Sequence, residues 1–430
     1  MMKCPYACGS AEHALARRTF LGGLVASGVG AAAAGGFAPR AIAGELEKKH
    51  KRMLVVFLHG GVSQLETWDP KPGVPDTGGP FRAIATSVSG VHVSELLPHT
   101  ARQMHHLALV RSINTREDNH GKGTYLMQTG QREQPAREYP YLGALASRLL
   151  APEKSPLPGY IKIQPGGGGG KGNDAAFLGP KYAGVVLGGG KPPQYTSRPD
   201  SVGEESQQRR STFRQAANER FAARRRTAST EAYTYTYQQA AQLMARRDVF
   251  DVTKESAEEQ ARYGAHDFGR HCLLARRLLE HGVSYVQVRH SNYDTHYENF
   301  NYHIEQLGEF DRPFATLVDD LHQRGLLEST LIVVMSEFGR TPRINNRYGR
   351  DHWGRAWSIA LGGCGIQGGA VIGKTNKNGT AVADRQVDEG HLFHTYLQAV
   401  GIDSTEPIQV DGRAVQIADP AKAAIKELLS

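Results

Sequence analysis

The chain has 430 residues, 40% of them hydrophobic and 22% charged, with a formal net charge of +8. That apolar content supports a sizeable buried core and excludes a disordered chain, and the length fits one large domain or two ordinary ones. The positive excess is modest and comes without a continuous Lys/Arg tract, zinc finger, basic zipper or aromatic-studded basic stripe, so nucleic acid is not an expected partner.

Residues 1–43 read as an export signal. Arg17-Arg18 and Phe20-Leu21 precede a weakly hydrophobic Ala/Gly-rich stretch from Gly23 to Gly36, and Ala41-Ile42-Ala43 fits a small-x-small cleavage site. The paired arginines resemble a twin-arginine signal, which makes the twin-arginine export machinery a partner and a periplasmic or otherwise exported location the expectation. No later stretch approaches the roughly 18 apolar residues of a membrane span, so none is expected once the signal is removed. Cys4 and Cys8 leave with the signal. Cys272 and Cys364 remain, as two buried thiols or as one disulfide.

From residue 44 to 430 the pattern is that of one α/β domain. Met53 to Leu58 is apolar throughout, as in a parallel strand buried on both faces, and ends at His59-Gly60-Gly61. A Pro/Gly-rich loop reaches Pro80. His92 to Met104 predicts a short strand and a helix, and Leu107 to Ser112 a strand. A helical stretch to Gln128 follows, opening near His120 and stopped by Thr129-Gly130. Tyr141 to Leu150 predicts a helix and Tyr160 to Ile163 a strand. The glycine run Gly166 to Gly170 lacks the Lys-Ser/Thr of a phosphate loop and reads as a mobile surface loop. Between about 201 and 277 the composition turns to Gln, Arg, Ala and Glu, which predicts a basic helical insertion with Arg224-Arg225-Arg226 and Arg246-Arg247 on solvated faces.

Strand character returns at Ser284 to Val288, leading into His290-Ser291-Asn292-Tyr293-Asp294-Thr295-His296. Phe310 to Gly325 predicts a helix and Leu331 to Met335 a strand. That strand runs into Glu337, Gly339 and Arg340, and a polar loop then delivers Arg350-Asp351-His352-Trp353. Trp357 to Gly363 predicts another strand, the glycine-rich segment to Gly373 a turn and a short strand, and His391 to Val400 a final helix. Helices alternating with apolar strands imply a doubly wound, mostly parallel sheet, whose carboxyl strand ends gather functional residues along one edge.

Asp294, His296 and His352 form the expected metal set. Two neutral imidazoles and a carboxylate suit a single divalent ion, whether zinc, manganese or iron. His120 sits where a helix N-terminus offers free N–H groups, and Lys122 and Arg340 add positive charge to hold an anion. The expected substrate is therefore an anionic small molecule or polymer. Trp68 and Trp353 read as packing residues.

Several segments together resemble the twin-arginine-exported, sulfatase-like family of unknown function within the alkaline phosphatase superfamily. They are Phe57 to Gly61 with Thr67 to Pro72, His120 to Gly130, Tyr293 to His296, Ser336 to Pro342, and Gly349 to Trp353. The resemblance implies an α/β/α sandwich of the alkaline phosphatase/sulfatase type with its site at the strand ends. It implies that Asp294, His296 and His352 keep one metal position and that Glu337 marks a second, weaker one. Phe338 stands where a ligand is expected, and no carboxylate directly follows the first strand. The position at which the superfamily carries its nucleophile, counted back from Thr129-Gly130, is His120, which cannot become formylglycine. His120 is left as nucleophile, general base or metal ligand. The implied activity is a metal-dependent hydrolysis of a phosphate- or sulfate-type ester. The alternative is a non-catalytic protein that keeps the fold and binds a carbohydrate, polymer or partner protein.

Overall fold

The computed structural model describes residues 50–152, 155–193, 196–224, 228–410 and 412–430. The export signal expected over residues 1–43, and Arg225 and Arg226, lie outside them.

The chain folds around β1 (Arg52–Leu58), whose every residue is buried because both faces of the strand are covered. A small antiparallel hairpin, β2 (Ala83–Ala85) and β3 (His92–Ser94), and the short α1 (Pro98–Arg102) precede β4 (Leu107–Ile113). Next come α2 (His120–Thr129), α3 (Leu142–Leu150), β5 (Tyr160–Ile163), β6 (Gly168–Lys171) and β7 (Val185–Leu187). Helices α4 (Glu204–Arg224), α5 (Ala228–Ala245), α6 (Ala257–Tyr263) and α7 (Asp267–Glu280) lead to β8 (Tyr285–His290). Then follow α8 (Asn299–Gln323), β9 (Thr330–Met335), the two-residue strands β10 (Gly339–Arg340) and β11 (His352–Trp353), β12 (Trp357–Gly363), β13 (Val371–Ile372) and α9 (Glu389–Ala399).

Nine strands form the central sheet in the order β13-β4-β12-β9-β1-β8-β5-β7-β6. Strands β9, β1, β8, β5 and β7 are parallel neighbours, β12 is antiparallel to both β9 and β4, and β6 is antiparallel to β7. Since β12 alone reverses between β9 and β4, β4 runs the same way as the parallel block. The carboxyl ends of β1, β4, β8 and β9 and the start of β12 therefore share one edge.

Side chains alternate across the strands into two cores. Leu54, Val56 and Leu58 face α7 and α8, through residues such as Leu274, Leu278, Phe310 and Phe314. Met53, Val55 and Phe57 face α3 and α9, through Leu142, Leu145, Leu392 and Tyr396. Each such fully buried side chain contributes about 1.5–3 kcal/mol. The result is the α/β/α, doubly wound architecture.

Three expectations change. The glycine run is not a loop: Gly168–Lys171 pairs antiparallel with β7 as an edge strand, where a lack of side chains costs least. Helix α8 starts at Asn299 rather than Phe310 and continues through Pro313, although proline disfavours a helix interior. The stretch at 201–277 is helical, but α7 is a core helix. Its Arg276 and Arg277 are buried and paired with Glu255, and Arg276 also reaches Glu280 at 3.0 Å. Cys272 and Cys364 are free, buried thiols in the two different cores. Trp68 is buried against Phe310. No helix among the described residues is long and apolar enough to cross a membrane.

Candidate metal centre

Four strand ends deliver the site. His59 follows β1, His120 opens α2 after β4, Asp294 and His296 follow β8, and Glu337 follows β9. His352, on β11, returns to the same edge just before β12. The short β10–β11 ladder pairs Arg340 with His352 and Gly339 with Trp353, which folds the loop carrying His352 back over the strand ends.

Two glycines let these segments meet. Gly60 (φ 117°) lies so close to the Tyr293–Asp294 backbone that a Cβ would stand 2.6 Å from Asp294 N. A Cβ on Gly349 would stand 2.0 Å from the His296 carbonyl oxygen. Beside Gly349, the Arg350 guanidinium is fully buried and bidentate to the buried Glu66 carboxylate at 2.8 and 3.1 Å, and it also donates to the Thr77 carbonyl at 2.8 Å. Arg350 N–H donates to Thr295 O at 2.9 Å. The loop before His352 is thus tied to the segments after β1 and after β8.

The imidazoles then converge on one carboxylate. His296 Nε2 and His352 Nε2 each lie 3.2 Å from Asp294 Oδ1 and 3.0 Å from each other. His120 Nε2 lies 3.3 Å from Asp294 Oδ2. His120, Asp294 and His352 present donor atoms all within 4.8 Å of one another.

The opposite nitrogen of each ring is committed to an oxygen. His352 Nδ1 donates to the Asp118 carbonyl at 2.6 Å, which can only accept. His296 Nδ1 donates to Asp351 Oδ1 at 2.6 Å, and His120 Nδ1 to Glu337 Oε1 at 2.7 Å. With Nδ1 protonated in all three rings, the Nε2 lone pairs point into the cluster. Oxygens behind the ring orient metal-binding histidines in this way. His120 Nε2 is buried and makes no hydrogen bond despite its approach to Asp294, as expected of a lone pair facing a carboxylate oxygen. Tetrahedral donors about 2.0–2.1 Å from zinc stand about 3.3 Å apart, which matches each imidazole's approach to Asp294; His120, Asp294 and His352 are the group whose donor atoms all lie close to one another, and His296 joins it through Asp294 and His352.

The electrostatics favour positive charge at this point. Burial draws the Asp294 carboxyl upward, but the hydrogen bond and charge of Arg340 and the imidazoles around it hold it well below the usual carboxylate range. The hydrogen bond to Glu337 raises His120, against burial. Burial, then the Arg340 charge, lowers His352. Glu337 is fully buried, and His120 keeps it ionised against that desolvation.

The structure brings Asp294, His296 and His352 together and adds His120 to them. It gives the other residues different places. Glu337 does not face the cluster as a ligand. Its Oε1 accepts from His120 and from Gly60 N–H at 2.9 Å, and its Oε2 accepts from Ser336 at 3.0 Å. Arg340 is buried and donates to Gly60 O, Gly61 O, Arg350 O and Asp294 Oδ1, the last at 2.7 Å, so it supports the aspartate rather than offering its charge to an incoming anion. Lys122 is exposed, two residues beyond His120, and lines a neighbouring cleft. Phe338 is buried with its ring 4.9 Å from His120 and 4.5 Å from His352, so an aromatic wall closes that side of the cluster. Sequence reasoning missed the roles of Asp351 and of the Asp118 carbonyl. The adjacency of Asp351 to His352 was the available signal for the first; a backbone carbonyl leaves none.

A family model described as "Protein of unknown function (DUF1501)" matches residues 50–429. No curated protein matches the chain. Solved structures that resemble it include the lipoteichoic acid synthase LtaP from Listeria monocytogenes, at 9% identity and TM-score 0.37, covering 87% of this chain and 76% of that one. The PsFucS1 sulfatase from Pseudoalteromonas sp. has 15% identity and TM-score 0.37, covering 89% and 76%. The alkaline phosphatase from the Antarctic bacterium TAB5 has 11% identity and TM-score 0.34, covering 82% and 98%.

Proposed function

We propose, from the premise that the chain belongs to the DUF1501 family, that it is an exported, single-metal hydrolase of phosphate- or sulfate-type esters. One observation carries the reading: three imidazole Nε2 atoms converge on Asp294 while each opposite nitrogen is fixed by an oxygen. His120, Asp294, His296 and His352 hold the cation. Glu337, Asp351 and the Asp118 carbonyl hold the tautomers, and Arg340 keeps Asp294 ionised. Such a cation, when bound, supplies Lewis-acid stabilisation to charge on an ester oxygen. Lys122, on the rim, offers positive charge to an arriving anion. The Arg17-Arg18 signal supports export by the twin-arginine route.

A second reading, a binding protein that keeps the metal site without turnover, is favoured by the buried Phe338 ring and by an Arg340 already spent on protein groups. Metal analysis of protein purified from its export compartment, followed by a panel of phosphate monoesters, phosphate diesters and sulfate esters, separates the two. The hydrolase holds about one equivalent of a divalent transition metal and turns over at least one ester class, with activity lost in His352→Ala. Metal without turnover of any class supports the binding protein, and absence of metal defeats both.

A further inference from the structure

Beside the metal centre lies a cleft of about 720 Å³ that the cluster itself does not use. Its floor is one face of α2, carrying Lys122, Tyr125 and Leu126, and its far wall holds Tyr141 and Asn173. The exposed loop through Glu133 and Glu138 also lines it. The near end begins at Glu117 and Lys122, which flank His120 in the chain. Tyr125 stands roughly 8 Å further along the helix axis than His120, at 1.5 Å per residue. A molecule whose ester group reached the imidazoles would extend into this cleft.

The lining indicates what kind of molecule fits. Glu117, Glu133 and Glu138 offset Lys122, Arg132 and Arg137, so the cleft has no net sign to attract a polyanion along its length. Arg132 already reaches the Thr115 carbonyl and lies 3.7 Å from both Glu117 and Glu389, while the Arg137 guanidinium covers the Tyr139 ring at 4.8 Å. What remains is a pair of tyrosine rings, Tyr125 and Tyr141, 6.3 Å apart and edge-on, among planar carboxylate and amide groups. Aromatic faces accept the C–H faces of sugar rings, and planar carboxylates and amides bridge their vicinal hydroxyls. A peptide would seek an unpaired strand edge or a row of apolar pockets. The walls here are helix and loop side chains, with only Leu126 and Pro135 aliphatic.

We propose that this cleft is a subsite for an oligosaccharide, and that the ester handled at the metal centre is carried on that glycan. The second clause rests on the hydrolase reading; the first does not. The test is binding of chito-, cello-, manno- and galacto-oligosaccharides and their sulfated counterparts to the full-length, metal-loaded protein, with a random peptide library as control. At least one glycan series binds, and affinity falls about tenfold or more in Tyr125→Ala and in Glu138→Ala. Glu138 is exposed, so the second variant folds even where loss of the tyrosine disturbs packing. No retained glycan, equal affinity in wild type and both cleft variants, or preferential retention of peptides overturns the proposal. Turnover of a small nitrophenyl ester without glycan binding sinks the cleft and leaves the hydrolase standing; glycan binding by a metal-free protein does the reverse.

Discussion

The Nε2 atoms of His296 and His352 lie 3.0 Å apart and face each other with lone pairs, because each neutral ring keeps its proton on Nδ1, where it is donated to an oxygen. Two lone pairs at that distance repel, and a cation between them and Asp294 removes the repulsion. Metal binding therefore stabilises the folded state. At a free metal concentration near 100 times Kd the gain is about 2.7 kcal/mol. Treatment with a chelator lowers Tm, and one divalent ion restores it. In His352→Ala the chelator has no effect. A Tm that ignores both chelator and added metal in the wild-type protein defeats this expectation.

Glu337 acts through His120. Removing its carboxylate frees the ring to rotate and lets Nδ1 lose its proton. Glu337→Gln lowers metal affinity about 10–100-fold, the usual cost of losing the carboxylate that orients a ligating imidazole. Competition with a coloured chelator measures it, and circular dichroism checks that the fold persists. Unchanged affinity would return Glu337 to a purely structural place.

The Glu66–Arg350 pair is the strut under the His352 loop. Both groups are buried, so truncating one strands the other charge in a low-dielectric interior. Glu66→Ala costs about 3–5 kcal/mol of folding stability. Denaturant unfolding reads this directly, and the metal affinity of the variant falls with it because Arg350 no longer pins the backbone at Thr295. A loss below 1 kcal/mol, a size typical of exposed pairs, would show that the pair is solvated.

His271 provides a pH signature away from the metal. It is buried on α7, its Nε2 has no hydrogen-bond partner, and burial lowers its pKa from 6.5 to about 4. The folded state thus favours the neutral ring. The stability this gives is fully present above pH 6.5 and is lost as pH falls from 6.5 towards 4, by about 2 kcal/mol between pH 6.5 and 5. His271→Leu loses less stability than wild type over that interval by the same amount, in chemical unfolding at the two pH values. Equal pH slopes for the two proteins would mean that the ring is solvated when folded.

Much of the site was readable because its residues interrupt apolar strands. Asp294 and His296 follow Tyr285–His290, and Glu337 follows Thr330–Met335, each polar group standing where a buried run stops. Residue type does not reveal which atoms pair. Glu337 reads as a weaker metal ligand and Arg340 as a charge for an anion, but Glu337 accepts from the Gly60 N–H and Arg340 donates to the Gly60 and Gly61 carbonyls, contacts between segments far apart in the chain. Composition misled over residues 267–280 for a related reason. The stretch reads as a basic helical insertion up to residue 277, whereas in α7 Glu255 and Glu280 neutralise Arg276 and Arg277 and let the helix lie against the sheet. The glycine run took its strand conformation from its neighbour β7, since a sequence without side chains carries no period to read.

The reversed direction of β12 has a consequence for how this centre can diverge. The excursion carrying Arg340, Arg350 and His352 leaves β9 and re-enters the sheet on the strand next to it, so both its feet stand on one rigid base. Residues at its outer tip, around Asn346 and Arg347, can be exchanged or added without spreading those feet. Descendants of this chain can thus reshape the rim above the strand ends while the ring of imidazoles around Asp294 is inherited intact.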